Sequence, residues 1–315
     1  MKGRGEVIKL KHPLAKQSVF RRNRELFFLS VPALVFKLIF QYLPLVGLIL
    51  AFKNFRYNLG IFGSPWNGLD NFKFFFVSDN AWRITRNTIL YNAGFIIITL
   101  VFALLFAILL SELSSRAIKL YQTALFLPYF LSWVVVGYVV LAFLEQERGF
   151  LDQIWLLFGW DPISWYQEAE RWPYILNGVN LWKTVGFSTL VYYAGILGIN
   201  PSYYEAARID GAGRWQMMRS ITLPLLTPLI IVLLIMAIGG MFRSDFGLFY
   251  FVPNNSSFLY STTDVIDTYV FRALRTVGDV GMSAAVGLYQ SVVGFLLVVL
   301  SNWIIRRINE ENALW

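Results

Sequence analysis

Long apolar stretches alternate with shorter polar ones along most of the 315 residues. Six stretches hold about 20 predominantly apolar residues each, the length a helix needs to cross a bilayer core. They run roughly over 27–52, 88–110, 122–144, 176–198, 221–243 and 284–305. The pattern predicts an all-α membrane protein with six transmembrane helices. A basic leader over 1–26 precedes the transmembrane region of 27–305, and a tail over 306–315 follows it. The first stretch is the longest and is interrupted by Pro32, Lys37 and Pro44. It is too long, and too deep behind a charged leader, for a cleaved signal peptide.

Composition sharpens this reading. Hydrophobic residues make up 57% and charged residues 15%, where a soluble domain carries about 25% charged. Mean hydropathy is +0.56, and a bilayer can receive that much apolar surface where water cannot. There is no cysteine, and His12 is the single histidine. Thiol catalysis, disulfides, cysteine metal sites and any site needing two histidines are excluded. The net charge of +8 reads as membrane topology and contact with anionic lipid. No nucleic-acid partner is expected, because no recognisable DNA- or RNA-binding motif is present.

The basic residues also orient the chain. An even number of spans puts 1–26, 111–121, 199–219 and 306–315 on one side, with 15 Lys and Arg in 68 residues. The other side, 53–87, 145–174 and 244–283, holds 9 in 105. Both termini are therefore expected in the cytoplasm, anchored above all by Lys9, Lys11, Lys16, Arg21, Arg22 and Arg24. The opposite loops are rich in aromatics. Trp160, Trp165, Tyr166 and Trp172 suit an interfacial belt or a surface packed against an outer partner. The carboxylates Glu145, Glu147, Asp152, Asp161, Glu168 and Glu170 in the same loop show no convergent spacing, so a solvated loop is expected there.

One cytoplasmic loop, 199–220, reads as an ordered helical element. Asn200-Pro201-Ser202 is a helix start, with Pro201 suited to the first turn. Ser202 and Glu205 form a capping-box pattern. Tyr204, Ala207 and Arg208 fall on adjacent helical positions, and Gly211 and Gly213 end the helix. A second short helix is expected through Trp215 and Met218, before Leu223-Pro224 turns the chain into span five. Small residues at 206 and 207 let another surface approach closely. A plain surface hairpin is the other reading.

These residues resemble a known family. Glu205-Ala206-Ala207, three residues, Gly211, nine residues, Ile221, one residue and Leu223-Pro224 match the EAA pattern of permease subunits in binding-protein-dependent ABC importers. Asp210 before Gly211 is also a common form there. The likeness extends from about residue 25 to the C-terminus. The run Thr263 to Val270 and the segment Gly287 to Trp303 resemble the LplB-type polysaccharide permeases, relatives of the maltose-importer permeases. The resemblance implies the type I ABC importer permease fold, with loop 199–220 as a coupling helix seated in a groove of a separate ATPase. Glu205 would cap the helix, contact the ATPase, or do both. Ala206, Ala207, Arg208, Asp210, Gly211, Leu223 and Pro224 complete the implied coupling set. The implied partners are a second permease subunit in a heterodimer, two ATPase subunits and an extracytoplasmic solute-binding protein. The chain contains no Gly-Lys dipeptide, so it has no phosphate-binding P-loop of its own. ATP and Mg would be held by the partner ATPase subunits, and the chain is expected to be a transport subunit, not an enzyme.

Substrate is the least determined property. Lys37, Lys183 and Arg243 fall in or at the ends of spans, and an intramembrane cation is a functional-site hypothesis by default. They line the route for an anionic sugar, or they serve packing, with Arg243 paired locally to Asp245. Sugars need aromatic faces and planar polar groups. Span four offers Asn177, Asn180, Trp182, Tyr192 and Tyr193; span six offers Tyr289 and Gln290, and the preceding loop Tyr269. Gly94, Gly186, Gly195, Gly239, Gly240, Gly287 and Gly294 permit close helix approach and bending. An oligosaccharide is the expected substrate, with a lean towards a uronate-containing one. An ion-coupled carrier is the alternative, although no internal repeat and no mid-span carboxylate supports it.

Overall fold

The computed structural model describes residues 24–73, 77–146, 148–276, 278–308 and 313. The leader anchors up to Arg22, His12, Glu147 and most of the tail lie outside the described residues. The chain divides into two units, Met1–Ile49 and Leu50–Trp315. The first contains helix α1, Arg24–Lys37, which passes into a π turn over Leu38–Tyr42. A 3-10 stretch, Leu43–Phe52, continues it across the boundary. Pro44 has no N–H and crowds the carbonyl four residues back, and the widened turn just before it accommodates that ring.

The second unit is helical, with one isolated bridge between Lys53 and Trp66. Helix α2, Asp79–Ser111, starts where the Ser78 hydroxyl accepts the Asn80 N–H at 3.2 Å. Its 33 residues span about 50 Å, more than a bilayer core needs. Ala81, Ile84, Thr88 and Tyr91, then Ala103, Ala107 and Leu110, form one buried stripe at the three-and-four spacing of a helix face. Ala103, Ala107 and Leu110 pack on α6, Trp172–Leu197, in the most extensive helix pairing among the described residues, while Ile84 meets Ile266 and Met282.

The expected third span is drawn as two helices. Helix α3, Ser115–Phe126, is followed by a 3-10 turn over Leu127–Phe130. Helix α4, Trp133–Leu144, then departs at 100°. Pro128 cannot donate to the preceding turn. Leu131 and Ser132 are extended, and the Ser132 hydroxyl caps α4 by accepting Val135 N–H. Helix α5, Phe150–Leu157, leads back towards α6.

After α6 come the short helix α7, Pro201–Ile209, and a continuous run α8, Arg214–Gly239. The second loop helix expected through Trp215 is thus the first turn of span five. A π turn over Met218–Thr222 carries the chain past Pro224, the same solution seen at Pro44. Helices α9, Phe246–Phe251, and α10, Ile266–Thr276, precede α11, Val280–Ile308. Among the described residues, Phe27–Phe52, α2, α8 and α11 are each long and apolar enough to cross a membrane, and the bent α3–α4 pair makes a fifth if the two count as one span. Helix α6 is long enough, but Asn177, Asn180, Lys183, Thr184 and Thr189 make it more polar. It is also rich in buried positions. Its polarity faces protein, not lipid.

Gly186 shows how tightly α6 is held. A Cβ built there would lie 1.9 Å from the carbonyl oxygen of Leu125, a backbone atom of α3. Gly178, on the same helix, faces open space. Gly186→Ala should force the helices apart, costing about 1–3 kcal/mol, while Gly178→Ala should be neutral or slightly stabilising. Thermal unfolding in detergent, followed by size-exclusion recovery, checks this; equal midpoints would refute the close α3–α6 contact.

Candidate functional site

Loop 199–220 is built by local rules. Pro201 restricts the residue before it to extended backbone, and Asn200 sits at φ −62°, ψ 123°. Its Oδ1 accepts the Ser202 N–H at 3.0 Å. Asn200 is therefore the N-cap. Ser202 lies inside the helix, and the capping box expected from Ser202 and Glu205 does not form. At the other end, Ala212 N–H donates to Ala207 C=O at 2.8 Å and Gly211 N–H to Arg208 C=O at 3.1 Å. This pair of bonds is a Schellman closure, with Gly211 in its left-handed position at φ +79°.

The loop leans inward on one tyrosine. Tyr204 and Thr222 share a hydroxyl hydrogen bond of 2.9 Å, joining α7 to the π turn of α8. Arg214 pairs with Glu112 at the end of α2, 3.1 Å away. Both are exposed, so the pair adds at most about 1 kcal/mol. Behind α7 lies a cavity of about 240 Å³ lined by Ile108, Ile196, Tyr204, Arg208, Met217 and Thr222.

The loop's other face is free of the fold. Glu205, Ala206, Arg208, Asp210, Gly211 and Pro224 are exposed, and Ala207 and Leu223 are half-buried. Among the described residues the Glu205 carboxylate makes no hydrogen bond or ion pair. The loop also exposes apolar residues that the sequence reading did not select. Ile209 is 86% exposed, Trp215 72% and Tyr203 56%. Their signal was available: each is a large apolar residue in an otherwise polar loop.

The span residues proposed from sequence do not converge on one route. Lys183 is buried, and its ammonium donates to the Tyr129 carbonyl. Gln290 is buried and donates to Phe242 C=O at 2.6 Å and to Asp267 Oδ2 at 3.3 Å. Tyr192 and Tyr193 belong to an apolar cluster with Ala103, Ala107 and Leu226, and Asn180 is buried on the same helix. Tyr269 packs beside Ile84 and Ile266, and the Tyr289 ring lies 6.1 Å from that of Phe242. Trp182 is exposed on a groove with Val139, Phe143 and Tyr174. Arg243 is exposed and reaches Ser291 at 3.3 Å, not Asp245. Asp245 is instead engaged by Trp133 and by the α9 backbone. A separate apolar groove of about 310 Å³ opens between α2, α6 and α8, lined by Phe95, Thr99, Phe187, Ser188, Tyr192 and Leu233.

At the end away from the loop, the run Thr263 to Val270 ties helices together. Asp264, buried, lies between Arg83 and Arg272. Thr88 Oγ1 accepts Ile266 N–H at 3.0 Å, and Asp267 accepts Ser244 N–H at 2.8 Å. Burial pushes the Asp267 carboxyl above the usual carboxylate range, against Ser244, Gln290 and Arg243, which pull it down. The expected aromatic belt is partly core. Trp172 is fully buried and donates to Trp165 C=O, and Tyr166 donates to Val252 C=O. Burial, then nearby Glu145, pushes the Tyr166 phenol up to about 12. Asp152, far from being solvated, is buried and accepts the Trp165 indole N–H. Trp160 stays exposed.

Comparison with known proteins bears on these observations. Residues 26–310 match the family model described as binding-protein-dependent transport system inner membrane component. Protein LplB of Bacillus subtilis (strain 168) is 34% identical over 296 residues, covering 94% of this chain and 92% of LplB. The polygalacturonan/rhamnogalacturonan transport system permease protein YteP of the same organism is 33% identical over 294 residues, covering 92% and 90%. Among solved structures, a subunit of a bacterial ABC transporter involved in import of the acidic polysaccharide alginate superposes with a TM-score of 0.83. Its sequence identity is 32%, with 92% of this chain and 98% of that chain covered.

The turn at Gly211 has open space around it, so its requirement is conformational alone. Gly211→Ala should cost the closure about 1–2 kcal/mol, and Gly211→Asn less, because asparagine tolerates the left-handed region. Amide hydrogen exchange at Ala212 should quicken in the order Gly, Asn, Ala. Identical rates in all three would show that the closure does not hold the loop.

Proposed function

We propose, starting from the fact that this chain belongs to the family of binding-protein-dependent transport system inner membrane components, that it forms half of an import route for acidic oligosaccharides. The chain is a permease subunit without an ATPase site of its own. Membership sets aside the ion-coupled carrier. The remaining assignments are a coupling face, an orientation and a substrate.

The observation that carries the coupling assignment is loop 199–220. It is closed at both ends, anchored inward by Tyr204 and turned outward along Glu205, Ala206 and Ile209. A rigid exposed helix at the junction of α6 and α8 suits a force-bearing contact with a separate ATPase that holds ATP and Mg. Leu223 and Pro224 shape the π turn on which α7 rests. Ile209 and Trp215 supply apolar anchors of the kind that dominate protein interfaces. In this reading the loop and both termini are cytoplasmic, and the Ser256 end is outside. A second permease subunit completes the route, and a solute-binding protein delivers substrate from outside. The solved complex of the bacterial alginate ABC transporter contains an alginate pentasaccharide-bound periplasmic protein, which supports that arrangement by analogy.

The acidic substrate draws support from YteP and from the alginate importer, whose described substrates are acidic polymers. It draws no support from Lys183, which is buried and engaged. Arg243, exposed after the end of α8, and Lys37, exposed in the first apolar run, are the cations of the original three left for an anionic sugar.

Three measurements test this. Ile209→Ala and Trp215→Ala should each weaken co-purification of the ATPase about tenfold or more, as truncated interface anchors do, with membrane abundance unchanged. Full retention in both would remove the docking face. A cysteine placed at Ser256 should be labelled from outside and one at Ser18 only after permeabilisation; the reverse would invert the topology. ATP hydrolysis by the reconstituted importer should be stimulated by its binding protein with oligogalacturonate but not with a neutral maltooligosaccharide of equal length. Arg243→Gln should lower that stimulation and weaken its salt dependence. Stimulation by the neutral sugar alone would sink the acidic assignment and leave the importer intact.

A further inference from the structure

Lys183 is 7% exposed, and no carboxylate lies within ion-pair distance of it among the described residues. Its Nζ donates to the Tyr129 carbonyl at 2.8 Å. That carbonyl sits where the break between α3 and α4 interrupts the helical ladder. The same ammonium lies 5.5 Å from the Tyr129 ring centre and 5.1 Å from that of Trp133. The Trp133 indole N–H in turn donates to Asp245 Oδ2 at 2.6 Å. Asp245 Oδ1 caps α9 by accepting Gly247 and Leu248 N–H. One chain of contacts therefore runs from α6, through the break, to the turn that follows α8.

Two close approaches stiffen this region. A Cβ at Gly137 of α4 would lie 2.7 Å from the Phe251 carbonyl, and one at Gly247 of α9 would lie 2.2 Å from Trp133 Cδ1. Helices α4 and α9 thus meet in close contact at two glycines. The α6–α7 arm is tied at two places to α8 and the turn that follows it. Near the loop, Tyr204 bonds Thr222. At the far end, Lys183, Trp133 and Asp245 connect them.

We propose that the Lys183–Trp133–Asp245 chain is a latch that holds the resting importer, with Lys183 as the positioning residue through which movement of loop 199–220 reaches the α4–α9 pair. This rests on the reading of that loop as the ATPase contact. Helix α6 leads directly into the loop, so displacement of α7 shifts α6 along or about its axis. A buried ammonium has no water to turn to, and its attraction to rings and a carbonyl is strengthened in low dielectric. The contact is therefore made or broken, not stretched, which is the behaviour of a two-state element.

Trp133→Phe tests the latch, because it keeps the aromatic face and removes the indole N–H. The importer assembled with its ATPase should hydrolyse ATP about tenfold faster without binding protein, the factor for one hydrogen bond to a charged group. Stimulation by loaded binding protein should shrink in proportion. A purely structural role would instead lower complex yield and scale both rates together, and an unchanged or lower basal rate in an intact complex overturns the latch. Should Trp133→Phe fail to assemble, Asp245→Asn is read the same way, and failure of both assigns the contact to folding and overturns the proposal. A wild-type complex that binds its ATPase elsewhere than loop 199–220 would fail the coupling reading instead.

Discussion

A backbone group freed inside hydrocarbon meets no water, so each interruption of a spanning helix needs a partner built into the protein. This chain meets that constraint in two ways. At Pro44 and Pro224 the helix widens into a π turn and continues. At Pro128 it stops, turns through 100° and restarts on a serine cap. The second solution exposes the Tyr129 carbonyl, and the fold brings a lysine from another helix to meet it. Helix α6, which supplies that lysine, packs against α2, α3, α8 and α9.

Polarity within the spans serves assembly more than solvation. Asn87 bonds the backbone of Ser261 and Asp264, Gln290 bonds Phe242, and Asp267 bonds Ser244. Each joins helices distant in sequence through a backbone group that would otherwise be buried without a partner. Apolar packing alone discriminates weakly between neighbouring helices in a bilayer, since lipid tails are as apolar as leucine. Polar contacts of this kind fix which helix lies beside which.

The loop that reaches out of the membrane follows the opposite logic. Its closure is local: an asparagine cap, a left-handed glycine and two reversed hydrogen bonds. Local closure lets α7 move as a rigid piece, so its displacement passes to the adjoining spans and is not absorbed within the loop. Its long-range ties are few, chiefly Tyr204 to Thr222 and Arg214 to Glu112. That combination suits an element meant to transmit displacement.

The division between sequence and tertiary structure follows range. Apolar run length, the Pro201 start and the Gly211 turn were legible, because each depends on residues close together along the chain. The fixed spacing from Glu205 to Pro224 was legible for the same reason, and it pointed to the right family. The capping residue was misplaced by two positions, since Ser202 and Asn200 both suit a cap and only backbone geometry after Pro201 separates them. What no local pattern could decide was which side of each helix meets protein. Tyr193 and Gln290, candidates for the substrate route, are buried, while Ile209 and Trp215 were passed over and are exposed. Lys183 looked like a free charge because its partners, Tyr129 and Trp133, lie 54 and 50 residues away and come within reach only once the third span has bent.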